Sequence, residues 1–147
     1  MMRAARGANE LRRGGTVMLR LPNGACGLCR AAELSDSGDI TRLSRLAGSA
    51  TLLILTAPRL SSLGRILRDG CPVATVALPV SHQNAFFDLA FGQNDHLTGS
   101  DFTIIAETAG SLADMAAQLL RSVKLIPAGL FVRLPLRDVA AQDRFAR

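Results

Sequence analysis

Residues 51–64 read TLLILTAPRLSSLG, and residues 72–78 read PVATVAL. The runs Thr51 to Thr56 and Pro72 to Leu78 are continuously apolar over the length of a strand, the mark of strands buried on both faces. Between them Pro58 opens a helix running to Leu67, with Leu60, Leu63 and Leu67 on one side. Strand, helix and strand in succession make a layered unit. The flanking sequence extends it. Upstream, residues 8–13 end a short helix stopped by Gly14 and Gly15. Thr16 to Leu21 reads as a strand, Pro22-Asn23-Gly24 as a turn, and Leu28 to Glu33 as a second strand that completes a hairpin. Asp36 to Gly38 is punctuation, and Asp39 caps a helix carrying Ile40, Leu43 and Leu46 that ends at Gly48.

Downstream, Ser81 to Phe91 reads as helix or irregular loop, and Asn94 to Ser100 as a polar loop. Phe102 to Glu107 is a strand. Ser111 caps a helix over Leu112 to Val123 with Leu112, Met115, Ala116, Leu119 and Leu120 as its apolar stripe. Gly129 to Leu134 is a final strand. This alternation predicts an α/β fold: one layered domain over residues 1–137, a mixed β-sheet covered by helices, then a polar tail at 138–147.

Bulk properties exclude several function classes. The chain has 147 residues, of which 48% are hydrophobic, with six Phe and no Trp or Tyr, so it can bury one sizeable core and that core is aliphatic. The net charge of +5 comes from scattered arginines with no interleaved aromatics, which argues against nucleic acid as a partner. No stretch approaches the roughly 18 apolar residues of a spanning helix, so no membrane partner is expected. The start, Met1 to Arg13, has no apolar segment of a secretory signal. Three cysteines are an odd number, and the expected state is reduced and cytoplasmic. No glycine-rich phosphate-binding fingerprint follows a strand.

Few residues suggest chemistry. Cys26-Gly-Leu-Cys29 is a pair that could form half a zinc site or a redox couple. No second half is in sequence, and in a strand the two thiols face opposite sides, so inert buried thiols are the plainer reading. His82 and His96 stand without a nucleophile partner and read as loop polarity. Asp36, Asp39 and Glu33 are the carboxylates nearest the first turn. Asp39 reads as a helix cap and Glu33 as a candidate floor of a polar pocket. Phe86, Phe87 and Phe91 read as core, or as a partner-facing patch if their segment is a surface helix.

The order of segments resembles the 3,4-dihydroxy-2-butanone-4-phosphate synthase family. "LRRGGTVML" (11–19) is similar to the family's opening helix, basic-glycine pair and strand. "RAAEL" (30–34) is similar to its strand ending in Ala-Ala-Glu, and "ILTAPRLSSLG" (54–64) to its strand, threonine and helix. "FTIIAE" (102–107) is similar to its Phe-Thr strand, with Glu107 where an aspartate is usual. "LLRSVKLIPAGL" (119–130) resembles the synthase-like domain that precedes GTP cyclohydrolase II in some bacterial fusion proteins. The resemblance spans roughly residues 8 to 134 and implies the family's fold, a homodimer and a link to riboflavin biosynthesis.

The reaction that the resemblance implies rearranges ribulose 5-phosphate with loss of formate, using a divalent cation that wants carboxylate oxygens. The family carries an Asp-Arg-Glu-Asn-Glu-Gly-Asp loop between its first two strands. Counting back from Ala31-Ala32-Glu33, that place holds Leu21, Pro22, Asn23, Gly24, Ala25, Cys26 and Gly27, with no carboxylate. The family's Gly-His-Thr-Glu-Ala segment has no counterpart. Asp114 matches a family aspartate, while the substrate-holding arginine and threonine correspond to Met115 and Gln118. The expectation is a non-catalytic synthase-like domain acting in dimerisation or in docking GTP cyclohydrolase II, with no catalytic residue and no cofactor. Glu33 and Asp114 are the candidates for substrate binding, and Cys26 and Cys29 for a metal. The alternatives are a divergent synthase using magnesium and other carboxylates, or a fragment of a cyclohydrolase fusion.

Overall fold

The computed structural model describes residues 2–77, 85–92 and 102–135. Six strands form one sheet: β1 (Val17–Arg20), β2 (Cys26–Ala31), β3 (Leu52–Thr56), β4 (Val73–Ala77), β5 (Thr103–Glu107) and β6 (Gly129–Leu134). Their order across the sheet is β1-β2-β6-β3-β4-β5. Five helices accompany them: α1 (Met2–Arg12), α2 (Ser37–Ala47), α3 (Ala57–Ser62), α4 (Ala85–Phe91) and α5 (Leu112–Ser122). The layered α/β architecture is as the alternation predicts. The sheet is not mixed, however, because every pairing among the described residues is antiparallel. Burial on both faces misled here. It arises from helices on both sides of the sheet, and that does not require parallel strands.

The two sides hold separate cores. Leu28, Leu53, Leu55, Val76, Leu130 and Val132 point to one side and meet Ile40 and Leu43 of α2, Leu60 of α3, and Phe86 and Leu89 of α4. Cys29, Ala31, Ile54, Val73 and Phe131 point to the other, against Leu11 of α1 and Ala113, Ala116 and Leu120 of α5. Neighbours in a strand alternate between these sets, as a pleated strand requires. Phe86 is buried, whereas Phe91 remains 44% exposed, so the phenylalanine group is only partly core.

Local chemistry sets the element ends. α2 is capped by Asp36, not by Asp39. The Asp36 carboxylate accepts from the Asp39 amide at 3.1 Å, and the Asp39 carboxylate accepts from the Asp36 amide at 2.9 Å. This reciprocal box ties down the first turn, whose amides lack the i−4 carbonyl partners of the helix interior. Gly48 closes the helix at φ 68°, a left-handed conformation that glycine adopts without strain. α3 is shorter than its leucine spacing suggests. Thr56 caps it, Pro58 sits in its first turn, and Gly64 at φ 90° turns the chain away before Leu67. Arg30 ties the hairpin to α2, donating to Ser35 Oγ at 3.1 Å and Thr16 Oγ1 at 3.3 Å and pairing with Asp39 at 3.4 Å. The expected loop Asn94–Ser100, His82, His96 and the tail 138–147 lie outside the described residues.

Candidate functional site

The turn between β1 and β2 is where the resemblance would put metal ligands. Leu21 donates to the Ala25 carbonyl at 2.8 Å, and Gly24 donates to the Leu21 carbonyl at 2.9 Å. Gly24 has φ 94°, a value that an L side chain would resist. The Asn23 side-chain oxygen is occupied by the Ala25 amide at 2.9 Å. β2 starts at Cys26, so Cys26 and Gly27 belong to the sheet and the turn proper is only Leu21 to Ala25. None of these residues carries a carboxylate.

Beside this turn opens a cleft of about 190 Å³ lined by Asn23, Ala25, Cys26, Leu112, Arg133 and Leu134. Arg133 is its charged residue. Its guanidinium pairs with Glu107 and lies 5.2 Å from the centre of the Phe131 ring. Gly27 makes room for that ring, since a Cβ there would stand 2.6 Å from Phe131 Cε1. The cleft therefore presents a guanidinium already paired with a carboxylate, beside the apolar side chains of Leu112 and Leu134. Among the described residues its lining includes no carboxylate and no imidazole, and so no acid-base pair.

The residues singled out in sequence do not converge on this cleft. Glu33 lies in the 3-10 turn after β2 and accepts a hydrogen bond from the Ile126 amide at 2.6 Å. Asp114 is buried at the start of α5, where its carboxylate accepts from the Gly110 amide and from Gln118 Nε2, both at 2.9 Å. Both carboxylates hold backbone in place. They belong to different layers, since Ala32 beside Glu33 packs in the α2 core and Ala113 beside Asp114 in the α5 core. Cys26 lines the cleft, and its thiol donates to the Gly24 carbonyl at 3.3 Å. Cys29 is fully buried, and desolvation pushes its thiol up to about 12. No cysteine among the described residues forms a disulfide. Arg133 escaped the sequence reading; the signal was a single charge alternating with Phe131 in an otherwise apolar strand.

Among the described residues no group of three or more His, Cys, Asp or Glu side chains could hold a metal ion. A hard divalent cation takes several oxygen ligands, mostly carboxylates. The donor set of the β1–β2 turn, an engaged asparagine and backbone, does not fit one.

No model of a known protein family matches the sequence, and no curated protein matches it. Solved structures do match. The chain is similar to RibBX, a two-domain 3,4-dihydroxy-2-butanone 4-phosphate synthase from A. baumannii, with 14% identity and a TM-score of 0.70 over 97% of this chain and 52% of that one. It is similar to the same enzyme of Candida albicans, with 15% identity and a TM-score of 0.65 over 95% and 87% of the two chains. A third match is a 3,4-dihydroxy-2-butanone 4-phosphate synthase in complex with two magnesium ions, with 16% identity and a TM-score of 0.64 over 88% and 74%. The chain thus has the fold of these synthases, and it spans about half the length of the two-domain protein. No helix among the described residues is long and apolar enough to cross a membrane.

Proposed function

We infer that this chain is a synthase-like domain tied to riboflavin biosynthesis whose catalytic site has been dismantled, and that it acts by dimerising or by docking a GTP cyclohydrolase II. One observation carries this reading. The β1–β2 turn is a tight, self-satisfied hairpin whose only side-chain oxygen, that of Asn23, is held by the Ala25 amide. Fold similarity alone does not assign a reaction. Magnesium chemistry of this kind needs carboxylate ligands, and residues 21–27 carry none. Glu33 and Asp114 support the same reading, because each is committed to backbone amides.

The test uses the pure protein with ribulose 5-phosphate and magnesium. No formate should appear above a metal-free control. Metal-dependent formate would instead establish a divergent synthase. The docking arm uses size exclusion with light scattering in the presence of a GTP cyclohydrolase II. A shared peak supports docking, and a monomer that ignores the cyclohydrolase removes it.

A further inference from the structure

The two edges of the sheet are protected unequally. β1 is four residues long, buries Val17 and Leu19, and ends in the exposed Arg20. At the other edge β5 reads Thr-Ile-Ile-Ala-Glu and contains no Lys, Arg or Pro. Its register with β4 is unbroken from Thr103 opposite Ala77 to Glu107 opposite Val73, so no bulge twists it away. Among the described residues no strand pairs with its outer side. Ile105, at its centre, is 53% exposed. Natural edge strands usually carry a lysine, a proline or a bulge against unwanted pairing, and a straight edge with none of these is a template for another strand.

We propose that the outer edge of β5 pairs antiparallel with β5 of a second copy of this chain, about a two-fold axis at Ile105. This deepens the dimerisation reading above and rests on it. The choice of a second copy follows from the order of residues along the strand. A two-fold at Ile105 sets Ile105 against Ile105, Ile104 against Ala106, and Thr103 against Glu107. The apolar centre meets itself, and the one carboxylate meets a hydroxyl residue instead of another carboxylate. Directly opposed like charges destabilise a cross-strand pair, and this register has none. Glu107 is already held by Arg133 of its own subunit, so its charge is partly neutralised before pairing. The contact is isologous, which closes the assembly at two copies. Five residues of ladder bury less than a standard stable interface, so the dimer should depend on concentration.

Sedimentation velocity across the micromolar range tests this with three proteins: wild type, I105K and I105E. The wild type should pass from monomer to dimer as concentration rises. Each variant alone should stay monomeric, because identical charges meet at the axis. An equal mixture of the two should recover the dimer, which a merely misfolded variant could not do. Amides of residues 103–107 in the wild type should also exchange more slowly as concentration rises. If both variants dimerise like wild type, β5 is not the interface, although dimerisation itself stands. If folded variants fail to associate when mixed, or the β5 amides ignore concentration, the pairing is overturned. A wild type that stays monomeric throughout removes both the pairing and the dimerisation reading.

Discussion

The Glu33 carboxylate and the Ile126 amide meet at 2.6 Å, joining positions 93 apart in sequence. The bond fastens the turn that leaves β2 to the loop that enters β6, the two strands that lie side by side in the sheet. Glu33→Ala should lower stability by about 1 kcal/mol, since a hydrogen bond to a charged group is discounted by its solvent exposure. Glu33→Gln, which keeps a carbonyl acceptor, should lose less. Urea titrations measure both. A substrate-binding role would instead leave stability untouched.

Asp114 should matter more, because it is buried. Its carboxylate takes the Gly110 amide and the Gln118 amide group, while the Ser111 hydroxyl caps the Asp114 amide at 3.2 Å. Asp114→Ala leaves a donor without a partner at the start of α5 and should lower stability by about 2 kcal/mol. A shift of the urea midpoint with an unchanged slope would confirm that the loss is in stability alone.

Gly27 is fixed by packing and not by backbone conformation. An added Cβ would meet Phe131 Cε1 at 2.6 Å and the Val132 carbonyl oxygen at 2.9 Å. Neither can retreat cheaply, because the first belongs to a buried ring and the second to the paired strand. Gly27→Ala should therefore lower stability by about 2 kcal/mol, as overpacking does in well-filled cores. A thermal melt reads this directly.

Cys29 gives the fold an alkaline limit. Burial raises its thiol from 9.0 to about 12, so the native state holds a proton that the unfolded chain gives up sooner. Stability from this group is complete below about pH 9 and is lost as pH rises toward 12, at about 1.4 kcal/mol per unit. The sequence has no tyrosine to blur that window. Cys29→Ala should flatten the pH dependence of the urea midpoint between pH 9 and the onset of backbone damage. It should also lower stability near neutrality through the cavity it leaves.

Much of the fold was legible because its signals are local. The Pro22-Asn23-Gly24 turn, the Ser111 cap of α5 and the run Gly129 to Leu134 each declare themselves within a few residues. Errors arose where neighbours compete. Asp36 and Asp39 are three apart and bond reciprocally, so sequence could not say which one caps α2. Leu67 continues the leucine spacing of α3, but Gly64 ends the helix first. Strand direction and strand order depend on pairing between distant segments, which explains both the mixed-sheet expectation and the unforeseen edge position of β5. The cleft stayed hidden for the same reason, since residues near 23, 112 and 133 come together only in three dimensions.

The position of β6 bears on how the chain is made. It is the last described strand, yet it is inserted between β2 and β3, which do not touch each other in the sheet. During synthesis the β1–β2 hairpin and the β3-β4-β5 meander emerge first as two separate pieces, each with an open inner edge. Their strands cannot join into one hydrogen-bonded sheet until residues 129–134 leave the ribosome and fill the gap. Such late, long-range closure slows assembly and leaves sticky edges exposed to chaperones in the interval. A ribosome stalled before Gly129 would hold two half-sheets bridged by helix packing such as that of α5, with no ladder between β2 and β3.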